Sequence, residues 1–199
     1  TIHLREDRRH IRDYDLVNIK KKLKIPLNLE IAPTMEMLKI TTKNKPQYVC
    51  IVPEKRDELT TEGGLNVQKN KRILKKIIKK IKKHKIRVSL FVEPKISDIK
   101  TSKELGADCV EIHTGKYCNL YNNKKNFQKE FVKIKKSSVF AKKIGLIVHA
   151  GHGLTYKSIK KISKIKSISE FNIGHFIIAE SIFSGLKESI IRFKKIINN

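Results

Sequence analysis

The chain has 199 residues, 39% of them apolar and 32% charged, which suits one good core or two small ones and excludes a disordered protein. No apolar run reaches the ~18 residues of a membrane helix, no signal-peptide pattern opens the chain, and three cysteines without a CxxC pair argue against a disulfide framework, so reduced thiols and a cytoplasmic protein are expected. The net charge of +26 comes mainly from Lys, 37 of 45 basic residues, spread over many helical stretches; phosphate and groove readers favour Arg forks, so a solvated lysine coat is expected rather than a nucleic-acid surface.

Taken in chain order, TIHLR (1–5) alternates as a strand, with Ile2 and Leu4 on one face and His3 and Arg5 on the other. PLNLEIA (26–32) sets Leu27, Leu29 and Ile31 against Asn28 and Glu30. QYVCIVP (47–53) is the next strand, followed by the polar glycine loop TTEGGLNV (60–67), where Thr60 and Thr61 either offer hydroxyls to a substrate or cap a turn. NKRILKKIIKKIKKHK (70–85) carries Ile73, Leu74, Ile77, Ile78 and Ile81 on one stripe, a helix that buries one face and leaves its lysines in water. Further strands are RVSLFVE (87–93), CVEIHTG (109–115), GLIVHAG (145–151) and EFNIGHF (170–176). Short Val, Ile and Leu runs alternating with longer helical stretches predict an α/β protein with a parallel sheet.

Neither GxGxxG nor GxxxxGK[ST] is present, which disfavours a doubly wound nucleotide-binding sheet. A (β/α)₈ barrel has eight units and typically ~250 residues. Seven units, beginning without Met inside a strand, predict a TIM barrel with seven of its eight βα units, one domain over residues 1–199 that lacks the first unit. Two unpaired sheet edges would then lower its stability. Polar groups gather at the C-terminal strand ends, where barrel active sites form: His3, Arg5, Glu30, Glu111, His113, His149, His152, Asn172 and His175. Each alone is more often a structural hydrogen-bonding partner than a catalyst, and it is their recurrence on five strands that points to a site. Gly151, Gly153 and Gly174, in the loops after strands seven and eight of a full barrel, suit close approach of a phosphate to backbone N–H groups, or simply turn the chain. No metal is expected, because His149 and His152 have no carboxylate near them in sequence.

HLREDRRHI, NLE, VPEKRDELTTEGGL, EIHTG, AGHGLTY and NIGH, in this order, closely resemble the pyridoxine 5′-phosphate synthase family over residues 1 to about 190. The resemblance implies a TIM barrel, a homo-octamer, and an enzyme without metal or organic cofactor. Its reaction condenses 1-deoxy-D-xylulose 5-phosphate with 3-amino-2-oxopropyl phosphate, giving pyridoxine 5′-phosphate, phosphate and water. It implies that His3 and Glu30 are proton acceptors, His152 a proton donor and Glu111 a transition-state stabiliser. Arg5, His10 and Thr60 match positions that hold the deoxyxylulose phosphate, and Gly153, Gly174 and His175 those that hold the amino-oxopropyl phosphate. Glu30 would need a raised pKa to shuttle protons near neutrality, which burial supplies. His149 stands where many members have Asn, and the family's first strand, which supplies an Asn, an Asp-His pair and an Arg, is absent. Competing readings are an inactive truncated remnant, another TIM-barrel sugar-phosphate aldolase or isomerase, and a basic nucleic-acid-binding protein. A Schiff-base aldolase would want an inward Lys where these strand ends carry His and Glu.

Overall fold

The computed structural model describes residues 1–54 and 63–198. They fall into two compact units, Thr1–Glu111 and Ile112–Asn199. The first contains β1 (Ile2–His3), α1 (Asp13–Lys22), β2 (Asn28–Ile31), α2 (Met35–Asn44), β3 (Tyr48–Ile51), α3 (Lys71–Lys82), β4 (Arg87–Val92) and α4 (Ile96–Glu104). Strand β5 (Cys109–His113) crosses the boundary. The second unit continues with α5 (Gly115–Asn122), α6 (Gln128–Lys143), β6 (Ile147–Gly151), α7 (Ile159–Ile162), β7 (Glu170–Asn172), α8 (His175–Ser184) and α9 (Leu186–Asn198).

Sheet order follows chain order, β1-β2-β3-β4-β5-β6-β7. The registered pairs β1–β2, β2–β3, β3–β4 and β6–β7 are all parallel. A doubly wound sheet would reverse its order at a switch point; here each strand adds beside the one before it. This is the TIM-type α/β arrangement expected from the sequence, with seven βα units.

Parallel pairing in register gives each strand face its own character in the first unit. Ile2, Leu29, Val49 and Val88 are aligned, as are Ile31, Ile51 and Leu90. All but Ile2 are fully buried. Helix α3 presents Leu74, Ile77, Ile78 and Ile81 as a buried stripe, while its lysines are exposed and Ile73 is half-buried at the stripe's edge. Burying each such Leu or Ile side chain contributes about 1.5–3 kcal/mol. The opposite strand face is polar in two levels: Asn28, Tyr48 and Arg87 below, and His3, Glu30, Cys50 and Ser89 above. Arg87 stacks over Tyr48, 3.9 Å from the ring centroid, which closes the lower level with a cation–π contact.

In the second unit two aromatic clusters fix the helices. Tyr117 is buried among Tyr121, Phe127 and Phe131, and its hydroxyl donates to the Ser158 carbonyl at 2.9 Å. Tyr156 packs against Phe176 and Phe193, at 4.9 and 4.5 Å between ring centroids, and so ties the start of α8 to α9. The strand expected over EFNIGHF is shorter than the segment: β7 stops at Asn172, and His175 opens α8. Helix α8 has no buried residue and exposes Ile178, Ile182 and Phe183. Among the described residues no helix is long and apolar enough to cross a membrane.

Candidate active site

The polar upper level of the first unit gathers three of the expected residues. Register sets His3 beside Glu30, and Glu30 beside Cys50. His3 Nδ1 lies 3.7 Å from Glu30 Oε2. The other ring nitrogen, Nε2, is hydrogen-bonded at 2.9 Å to Glu54 Oε1, just past the end of β3. Glu54 is only 4% exposed in its side chain, and its second oxygen accepts the Glu6 backbone N–H at 2.9 Å. Burial raises the Glu30 carboxyl above its ordinary value, against the opposing pull of His3. The Cys50 thiol donates to Glu111 Oε2 at 3.7 Å and is itself buried. Burial first, then the negative charge of Glu111 and Glu30, pushes that thiol well up, so it remains a donor. His3, Glu30 and Glu111 therefore belong to one group of acid–base side chains in the first unit, joined through Cys50 and Glu54.

The loop after β1 is held by its own ion pairs. Arg5 grips Asp7 through Nε and Nη2, both at 3.0 Å, which pushes the Arg5 pKa up and brings the Asp7 carboxyl down to about 2. Arg8 adopts a positive φ of 50° and reaches Asp13 at 2.8 Å, Glu36 at 2.5 Å and the Glu6 carbonyl at 2.7 Å. His10 is exposed on this loop. Thr60 lies outside the described residues.

Gly64 packs against the end of β4. Its N–H donates to the buried Glu93 carboxylate at 2.7 Å. A Cβ there would sit 2.8 Å from the Glu93 backbone nitrogen and 3.1 Å from the Val92 carbonyl carbon, atoms that cannot swing away. Gly64→Ala is expected to lower stability by about 1–3 kcal/mol, read as a lower urea midpoint.

The remaining expected residues lie in the second unit. His152, at φ 78°, and Gly153, at φ 79°, turn the chain after β6. The Thr114 hydroxyl is 2.7 Å from both the Gly151 and His152 carbonyls, and the Thr114 N–H donates to Gly151 at 2.9 Å. The rings of His113 and His152 are 5.0 Å apart at 56°. Partial desolvation, with His113 and His175 nearby, pushes His152 below the ordinary imidazole value. His149 is buried and faces Glu170 on β7 at 3.7 Å. Gly153 has a packing reason, since a Cβ would meet the Cys118 Cβ at 3.1 Å. Gly174 has none: a Cβ would meet nothing within 4 Å, and it leads directly into the ten-residue helix α8 with His175 exposed at its start. Close approach of an anion to a helix N-terminus is a use of glycine that leaves such open space.

Glu54 and Glu93 were not marked out by sequence reasoning. The available signal was position, an acid closing each of two apolar segments, VPE and FVE. Among the described residues no group of three or more His, Cys, Asp or Glu side chains is placed to hold a metal ion.

The family model described as pyridoxal phosphate biosynthesis protein PdxJ matches residues 1–199. Relatives named pyridoxine 5′-phosphate synthase include that of Pelagibacter ubique, 57% identical over 198 residues, spanning 100% of this chain and 83% of the relative. The Sulfurihydrogenibium protein of the same name is 54% identical, spanning 100% of this chain and 82% of the relative. The Ehrlichia chaffeensis protein is 49% identical, spanning 99% and 80%.

Proposed function

Because the chain belongs to the family of the pyridoxal phosphate biosynthesis protein PdxJ, we propose that it is a pyridoxine 5′-phosphate synthase, a ring-closing enzyme of the transferase type. Its substrates are 1-deoxy-D-xylulose 5-phosphate and 3-amino-2-oxopropyl phosphate. The observation that carries this reading beyond kinship is the pairing of His3 with a Glu30 whose proton affinity is raised by burial. The amine of one substrate attacks the ketone of the other, one water leaves the carbinolamine, phosphate is eliminated, and the ring closes by carbon–carbon bond formation and aromatises as a second water leaves. Each step moves a proton, and each transfer is fastest to a group whose pKa lies near the working pH.

His3 and Glu30 are the proton acceptors, and Glu111, held by Cys50, stabilises charge that develops in the transition state. His152 is the proton donor. Its depressed pKa leaves it neutral near pH 7, so a bound phosphate's negative charge is what draws a proton onto it. Gly153, Gly174 and His175 hold the amino-oxopropyl phosphate, the open space at Gly174 leaving room for it. Arg5, His10 and Thr60 hold the deoxyxylulose phosphate. Neither metal nor organic cofactor takes part. The enzyme works in the cytoplasm as a homo-octamer, and the apolar side chains that α8 exposes supply surface for assembly.

The test is formation of pyridoxine 5′-phosphate from the two substrates, followed by absorbance and confirmed by mass. Product that disappears in Glu30→Gln is the expected result. Folded chain that makes none from fresh substrates sinks the synthase reading.

A further inference from the structure

We propose that Glu54 is the positioning residue of His3: it holds the imidazole in the tautomer protonated at Nε2, so that the Nδ1 lone pair faces Glu30. The inference rests on the reading of His3 as a proton acceptor, and it adds a residue to which no role has been given.

The argument is one of donors and acceptors. Backbone N–H of Glu6 can only donate, so Glu54 Oε2, 2.9 Å away, must accept. An ionised carboxylate accepts at both oxygens. Oε1, 2.9 Å from His3 Nε2, therefore requires a proton on that nitrogen. In the neutral ring the lone pair is then on Nδ1, 3.7 Å from Glu30 Oε2. Two groups assigned to proton transfer thus face one another, and the third fixes which nitrogen is basic. The Glu54 side chain is 4% exposed against 29% for His3, so the orienting group is the buried one and the reacting group is the accessible one. A carboxylate is needed for this double duty, because of the two terminal atoms of a neutral amide only the oxygen accepts and the NH₂ only donates.

Glu54→Gln separates the roles. Its single oxygen is claimed by the Glu6 N–H, and its NH₂ is presented to His3 Nε2. The ring then accepts there and carries its proton on Nδ1, which turns the basic lone pair away from Glu30. A tautomer reversal of this kind in another enzyme lowers kcat by about 10⁴-fold, and general-base contributions run about 10²–10⁴-fold. Expected is a kcat loss on the order of 10²–10⁴-fold with KM changed less than about 3-fold, because substrate binding groups are untouched.

The direct measurement is the long-range ¹H–¹⁵N imidazole spectrum of the full 199-residue chain, at a pH near roughly 8.5 where an unperturbed imidazole is neutral. The His3 signals are assigned by their loss in His3→Gln. The Nε2–H pattern in the unsubstituted protein and the Nδ1–H pattern in Glu54→Gln support the proposal. An Nδ1–H pattern in the unsubstituted protein overturns it, and that reading needs no variant to fold. Glu54→Asp, which keeps two acceptors, should retain the Nε2–H pattern; loss of that pattern in a folded protein would overturn it as well. Because the spectrum is recorded without substrate, a tautomer switch in a chain that forms no product would fail the synthase reading alone. Product formation with an unaltered kcat in Glu54→Gln would fail the positioning role alone.

Discussion

Glu30→Gln should leave a protein that is almost inactive and yet more stable at neutral pH. Loss of the proposed proton acceptor is expected to reduce pyridoxine 5′-phosphate formation by about 10²–10⁴-fold. Stability moves the other way because burial raises the Glu30 pKa in the folded chain. Between the ordinary Glu value, about 4.3, and the raised value, the native state binds more protons than the unfolded state does. Stability therefore falls as pH rises through that window. Glutamine carries no such penalty, so the variant gains stability above the window, by about 1.4 kcal/mol for each tenfold difference in proton affinity between the two states. Below about pH 4 the gain should vanish. Urea unfolding of both proteins at several pH values checks this. Equal stability across the range would mean that Glu30 is not strained by its burial, and its proposed readiness to hold a proton would lose its basis.

Gly115→Ala should cost about 10²-fold in activity with little change in helix content. Gly115 is the first residue of α5, where alanine is the better helix former, and propensity alone favours the change by up to about 1 kcal/mol. Sterics oppose it. A Cβ would lie 2.6 Å from His113 Nε2 and 3.0 Å from His152 Cδ2. His113 is only 7% exposed and has little room to retreat, so the displacement passes to His152. Displacements near 1 Å at reacting groups cost about 10²-fold. The outcome that separates propensity from sterics is a normal circular dichroism spectrum with depressed kcat; full activity would show that the two imidazoles yield without consequence.

The parts of this architecture that were legible in the sequence are those governed by periodicity. Alternation in LNLEI placed Glu30 opposite Leu29 and Ile31, and parallel register made that alternation into a polar level shared with His3. The stripe on α3 likewise followed from Leu74, Ile77, Ile78 and Ile81. Less legible were contacts made by residues just beyond the strands, where no period exists. Glu54 reaches a ring 51 positions away and Glu93 a backbone N–H 29 positions away, and nothing local encodes either partner. EFNIGHF reads as one strand, but its strand ends at Asn172 and its last residues start α8. The pairing of the Arg5 guanidinium with Asp7 two residues on is another arrangement that composition does not reveal.

The three free cysteines are all buried, and this makes them clocks. A thiol reagent attacks only the thiolate, and both Cys50 in the first unit and Cys118 in the second have their ionisation suppressed by burial. Neither reacts while its surroundings stay closed, so each labelling rate counts the openings of its own half of the chain. Equal rates at Cys50 and Cys118 belong to a molecule that opens as a whole; unequal rates belong to one whose halves breathe on separate schedules.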